Sequence, residues 1–359
     1  VQVAGITTQH LTDSLGNYTF DSLQIGSYFV TISKSGYVSH SDSIKIAKGS
    51  TSLLNRALAP TGGSGSGNIT GWTLVPSFDG SQNLNGVCYA GGGVFYAVGD
   101  GSEVVRSTDG GSTWTNCSQT FQQLLDVVFS DKLHGIAVGL NGVTVTTDGG
   151  NSWSSSTINH NRYRSIAMVG QTVYIAGDDN ASNGVVSEST DGGSNWQDLI
   201  SGLTDVTYPE FAIAMSTPND ICVVGWYGDI GITDYGFDNW SNVAIAATRA
   251  NLLSIAMPGL KDIFVVGDSG VIFHSQDSGA HWTKQNSGVV TSLRHVAFFD
   301  AKTGLAVGDS GVILLTKDGG TTWQSMSIPG NSFLSCAFED ASHAVVVGSG
   351  GVIYKSKIQ

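Results

Sequence analysis

Charge is scarce in this chain: only 13% of its 359 residues are Asp, Glu, Lys or Arg. No apolar run approaches the roughly 18 residues that a membrane-spanning helix requires, so insertion into a membrane is not expected. Of the four cysteines none stands in C-x-x-C spacing, which removes the common zinc frameworks. No G-x-S-x-G elbow and no Cys/His pairing offers a nucleophile. Helical periodicity is missing too. No cofactor and no metal follow from what remains, and no leader precedes Val1, so a mature or trimmed form is expected.

What the chain does have is one short phrase repeated six times. S-T-D-G-G-S-T-W ends at Trp114, T-T-D-G-G-N-S-W at Trp153, S-T-D-G-G-S-N-W at Trp196, T-D-Y-G-F-D-N-W at Trp240, S-Q-D-S-G-A-H-W at Trp282 and T-K-D-G-G-T-T-W at Trp323. Successive Trp residues are 39, 43, 44, 42 and 41 positions apart, the period of a four-stranded propeller blade. An Asp side chain accepts hydrogen bonds from its own tight turn, Gly supplies positive φ, and Trp packs between sheets. Asp109, Asp148, Asp191, Asp234, Asp277 and Asp318 therefore read as turn locks, with the six tryptophans as blade plugs.

Upstream of the octets lie hairpins such as Ala97-Val-Gly-Asp-Gly, Val265-Val-Gly-Asp-Ser-Gly and Ala306-Val-Gly-Asp-Ser-Gly, the second and third strands of each blade. Before them come small-residue strands, Ser165-Ile-Ala-Met, Ser254-Ile-Ala-Met, His295-Val-Ala-Phe and Ser335-Cys-Ala-Phe, suited to a crowded channel wall. Seven hairpins meet six octets. The missing Trp is Trp72, whose strand would complete the last blade and close the ring. Cys88 and Cys336 fall on neighbouring inner strands one residue out of step, so no bridge is expected between them.

The octet resembles the Asp-box, or BNR repeat, and its pairing with V-G-D-S-G-V-I resembles the seven-bladed propellers of photosystem II assembly factors and related secreted bacterial proteins. That resemblance implies a structural octet and says little of role, and because Asp-boxes also occur in sialidases an enzyme must be tested. A sialidase would need three gripping arginines, a Tyr/Glu pair and an acid Asp; the propeller has only Arg106, Arg162, Arg164, Arg249 and Arg294, and no F-R-I-P motif.

The first sixty residues alternate apolar and polar positions between Gly turns, as in Thr12-Asp-Ser-Leu-Gly-Asn-Tyr-Thr-Phe and Leu23-Gln-Ile-Gly-Ser-Tyr-Phe-Val. They resemble a carboxypeptidase regulatory-like domain lacking its opening strand. The expected chain is all-β: an incomplete, Ig-like β-sandwich over 1–60, a Gly/Ser linker over 61–67, and a seven-bladed β-propeller over 68–359. Lys34, Lys45, Lys48 and Arg56 against Asp13, Asp21 and Asp42 leave −14 of the net −13 on the rest. An acidic propeller argues against nucleic acid as a partner.

Blade four departs most from the repeat, with Gly225-Trp-Tyr-Gly-Asp229 where its sisters read Gly-Asp-Ser-Gly. Arg162, Tyr163, Arg164, Tyr208, Glu210, Trp226, Tyr227, Asp229 and Arg294 form the candidate contact surface, aromatic beside charged as protein or glycan contacts are. The expected function is a non-enzymatic binding or structural module, outside the cell, on its surface or in the periplasm, and able to self-assemble through the open sandwich edge into filaments. The alternative is a carbohydrate-active enzyme or lectin.

Overall fold

The computed structural model describes residues 2–3, 26–32, 40–46, 71–75, 82–117, 123–156, 158, 162–178, 184–199, 210–233, 240–242, 245 and 248–358. The chain divides into two units, Val1–Asn68 and Ile69–Gln359. In the first, Gln2–Val3, Gly26–Ile32 and His40–Ile46 pair antiparallel as one three-stranded sheet. The remaining sandwich strands expected there, and the linker over 61–67, lie outside the described residues.

The second unit is a seven-bladed β-propeller. Each blade is a four-stranded antiparallel sheet: blade one over 84–116, two over 124–156, three over 162–198, four over 210–242, five over 252–285, six over 293–325. Blade seven takes Phe333–Asp340, His343–Gly348 and Ile353–Lys357 from one end of the unit and Trp72–Leu74 from the other. There Ser356 pairs with Trp72 and Tyr354 with Leu74. The innermost strands touch one another in cyclic order, blade seven against blade one included.

Both faces of each sheet are apolar because both are covered. In blade one Phe95 and Ala97 pack toward blade seven, with Val345 and Val347, while Tyr96 and Val98 pack toward blade two, with Val127 and Phe129. The period-two side-chain alternation of a strand sends successive residues into successive seams.

Among the described residues five octets lock the outer ends of their blades. Asp109 Oδ1 accepts the Thr113 N–H at 2.8 Å and its Oδ2 the Thr113 hydroxyl at 2.7 Å. Ser107 Oγ donates to the same carboxylate and accepts the Gly111 N–H. The pattern recurs at Asp148, Asp191, Asp277 and Asp318. Asp234 lies outside the described residues, and Trp240 opens the outer strand of blade four against Thr233. The second octet glycine has positive φ, and a Cβ there would collide with the preceding blade: Gly111 with Val345, Gly193 with Ile136, Gly320 with Phe264. The described tryptophans sit at these seams less deeply than full plugs, since Trp114, Trp196, Trp282 and Trp323 are half-buried, while Trp72 and Trp153 are buried.

Asp191 and Asp277 are held down to about 2, the first chiefly by the Asn195 N–H and the second by the His281 side chain. These turns keep their charge until strongly acid pH.

Two outcomes test this architecture. Deleting residues 71–75 leaves Ile353–Lys357 as a bare edge, so the variant should aggregate in size-exclusion chromatography and lose its cooperative melt; a parent-like melt contradicts closure. Trp153 meets Phe129 edge-on at 6.0 Å, and Phe129 stacks on Tyr96 at 3.7 Å. Trp153→Ala should therefore cost about 3–5 kcal/mol in urea unfolding, where a loss under 1 kcal/mol, roughly the cost of a surface change, would show the ring to be peripheral.

Candidate functional site

Every inner strand carries one β-bulge at the same place. Against the second strand it skips Asn85, Leu125, Arg164, Phe211, Leu253, Arg294 and Leu334 in blades one to seven. A bulge puts one extra residue into the strand and re-aims its side chain. Asn85, Leu125, Arg164, Leu253, Arg294 and Leu334 line the central channel, a cavity of about 360 Å³.

The residue after each bulge builds a belt of bonds between blades. These positions are Gly86, Asp126, Ser165, Ala212, Ser254, His295 and Ser335. Asp126 Oδ2 accepts the Ile166 N–H of blade three at 3.1 Å, and Ser165 Oγ the Ile213 N–H of blade four at 3.3 Å. Ser254 Oγ accepts the Val296 N–H at 3.1 Å, and Ser335 Oγ the Val87 N–H at 3.2 Å. His295 Nδ1 accepts the Cys336 N–H at 3.4 Å. Gly86 and Ala212 offer no side-chain acceptor. At the first of these seams Asn85 Nδ2 donates across to the Leu124 carbonyl instead.

The heads of the second-to-third strand hairpins sit above the bulges. Asp178, itself 1% exposed, takes Arg162 Nε at 3.0 Å and Arg164 Nε at 2.9 Å. Asp309 holds Arg294 through two bonds of 3.0 and 2.8 Å. Asp100 collects the side-chain amides of Asn83, Asn85 and Gln123, and Asp268 those of Asn251 and the Ser292 hydroxyl. Blade four departs from these four: Trp226 stands at the position of Asp100, Asp178, Asp268 and Asp309, where blades two and seven carry Leu140 and Ser349.

Tyr227 follows it with φ +57°, at the position that Gly101, Ser269, Ser310 and Gly350 fill in sister hairpins. A left-handed backbone costs an L-residue roughly 1–2 kcal/mol, yet the Tyr227 ring is 53% exposed, so burial does not offset that cost. It meets Trp226 edge-on at 6.2 Å, and the Tyr227 N–H donates to Asn251, which leads on through Asp268 and Ser292 to blade six.

The candidate surface read from sequence divides accordingly. Arg162, Arg164, Trp226, Tyr227 and half-buried Asp229 belong to the neighbouring blades three and four, whereas Arg294 is on blade six, two blades beyond blade four. Tyr163 is a correction: it is fully buried among Ile136, Val138 and Ile175, because the strand alternation that turns Arg162 outward turns Tyr163 into the seam. Tyr208 lies outside the described residues, and Glu210 is described only as the first residue of its strand.

Two channel groups were not among the candidates. Burial pushes Asp126 from 3.8 up to about 6 against the opposing bonds from Ile166, Val127 and Ser165, and pushes His295 from 6.5 down to about 4. Both stand where sister strands carry Ser, Ala or Gly, and that misfit was the available signal. Burial also raises the Cys88 and Cys336 thiols, so the His295–Cys336 contact of 3.4 Å joins a neutral thiol to a neutral ring. All four cysteines are free. Among the described residues no three His, Cys, Asp or Glu side chains converge on a metal position, and no helix is long and apolar enough to cross a membrane.

The molecule is thus a seven-bladed propeller with a narrow, polar channel and its irregular features gathered at one mouth. Residues 118–204 and 212–317, more than half of the chain, match the family described as Photosynthesis system II assembly factor YCF48, and the chain belongs to that family. A stretch of 81 residues is 40% identical to the Photosystem II assembly lipoprotein Ycf48 of Synechococcus sp. (strain CC9902), covering 21% of this chain and only 23% of that protein. The structure of YCF48 from Cyanidioschyzon merolae superposes with a TM-score of 0.65 at 20% identity, over 80% of this chain and 99% of that one. A structure titled YCF48 bound to D1 peptide gives 0.65 at 19% identity, over 82% and 98%.

The two titrating belt residues act with opposite sign. Asp126 has a raised folded pKa, so its contribution to stability is full below 3.8 and is lost as pH rises through about 6. His295 has a lowered one, so its contribution is full above 6.5 and is lost as pH falls toward about 4. Between pH 6.5 and 4, Asp126→Asn should steepen the loss of stability on acidification and His295→Asn should flatten it, each by up to about 2 kcal/mol. Urea unfolding across that range checks this; parallel curves for both variants and the parent contradict it.

Proposed function

We propose that this chain is a non-enzymatic assembly factor that holds a polypeptide segment of a partner protein against the hairpin face of its propeller, over the channel mouth. The observation that carries the reading is Tyr227, an exposed aromatic ring kept on a left-handed backbone beside Trp226, where every described sister hairpin of this shape has Gly or Ser. Strain of this sort persists where it serves binding. Membership of an assembly-factor family supports it, as does the similar propeller titled as bound to D1 peptide.

Trp226 and Tyr227 supply the aromatic anchor, and Arg162 and Arg164, aligned by Asp178, flank it from blade three. Arg294 and Asp229 complete the rim. The octets, read as Asp-boxes, keep a structural role on the opposite face. The unit over 1–60 serves as a regulatory-like spacer on a Gly/Ser linker, in a compartment outside the cytoplasm.

Titration with a D1 peptide, read by tryptophan fluorescence or calorimetry, tests the assignment. Trp226→Ala should weaken binding at least tenfold with the melting temperature unchanged, and Asp318→Asn, on the octet face, should leave affinity unchanged. Lowered stability with undiminished binding in Trp226→Ala would make the hairpin a packing feature.

A further inference from the structure

The belt contains a charge that the seam does not need. Ser165, Ser254 and Ser335 each join two blades with a neutral hydroxyl, whereas the blade two–three seam uses the carboxylate of Asp126 for the same bond. That carboxylate accepts the Val127 N–H at 2.8 Å, the Ile166 N–H at 3.1 Å and the Ser165 hydroxyl at 3.2 Å. None of these donors is a cation, and among the described residues no cation pairs with it. A carboxylate half-buried in the channel wall without a counter-charge is costly, and desolvation there raises the Asp126 carboxyl.

Asp126 lines the channel one residue inward of the bulge rim. Leu125, Leu253 and Leu334 stand on that rim. Arg164 and Arg294, on the same rim, are tied to Asp178 and Asp309. An aliphatic collar above a lone half-buried carboxylate matches one side chain in particular, a flexible methylene stem that ends in an ammonium. A hard divalent cation would ask for several carboxylate oxygens, which do not converge here.

We propose that Asp126 is the receptor for a lysine ammonium, which a docked polypeptide inserts through the channel mouth past the leucine collar. This rests on the docking proposed above and names the partner's chemistry: the segment carries a lysine where it crosses the mouth. The net charge of −14 beyond the first sixty residues favours the approach of such a segment.

The test uses the full chain and a probe that does not depend on docking, Nα-acetyl-lysine N-methylamide, followed by NMR. It should shift the Val127 and Ile166 amide resonances saturably and lower the Asp126 carboxyl midpoint by about one unit or more, as an opposite charge within a few ångströms does. The neutral norleucine analogue, and calcium chloride at matched ionic strength, should do neither. Asp126→Ser restores the sister residue and Asp126→Asn keeps the shape; in whichever of the two melts like the parent, the lysine response should vanish. No response in the parent, an equal response to norleucine or calcium, or a response that survives in a folded variant overturns the proposal. A D1 peptide that binds while the lysine probe is inert overturns this inference alone; a lysine response without peptide binding overturns the docking reading instead.

Discussion

A propeller sheet has two apolar faces and no helices to cover them, so each blade requires a blade on either side. Every other feature follows from that constraint. The ring must close, and it does so by pairing Trp72–Leu74 with Ile353–Lys357, which joins the two ends of the unit in one sheet. Residues such as Val345 and Phe264 are buried because the octet glycine of the next blade lies against them. Near the axis the inner strands come close enough for one blade's side chain to satisfy the next blade's amide. The belt of Asp126, Ser165, Ser254, His295 and Ser335 is the product of that closeness.

The two ends of the ring differ in chemistry. On the octet face each described aspartate is saturated by its own turn, so its charge is absorbed by local hydrogen bonds. At the hairpin face carboxylates instead orient neighbours: Asp178 and Asp309 aim arginines, and Asp100 and Asp268 gather amides. The exceptions to the repeat gather at this end, in Trp226 and Tyr227 on blade four and in Asp126 and His295 on the wall below. Regularity belongs to the scaffold, and the departures mark where recognition is proposed.

Much of the fold was legible because the octet encodes a turn with few alternatives. Asp in third place, Gly at positive φ and Trp in last place state the blade period directly, and the hairpin phrase supplies the strands between. The belt was not legible, because a bulge has no residue signature of its own. Nothing in Leu124-Leu-Asp126-Val announces that Leu125 is the skipped residue. The same blindness placed Tyr163 on the surface with its neighbours, although the alternation about the Arg164 bulge buries it. Asp126 and His295 could have been noticed as the charged and aromatic members of a column otherwise made of Ser, Ala and Gly, but only once the strands had been aligned by their bulges.

The central claim is that recognition occupies the hairpin face and that the octet face is scaffold. Amide hydrogen exchange of the full chain with and without a bound D1 peptide tests it most directly. The account predicts added protection confined to residues 162–164, 226–229, 248–251 and 288–294, with the octet turns at 109–113, 148–152, 277–281 and 318–322 unchanged. Protection centred on those octet turns, with the hairpin face unaffected, would contradict it.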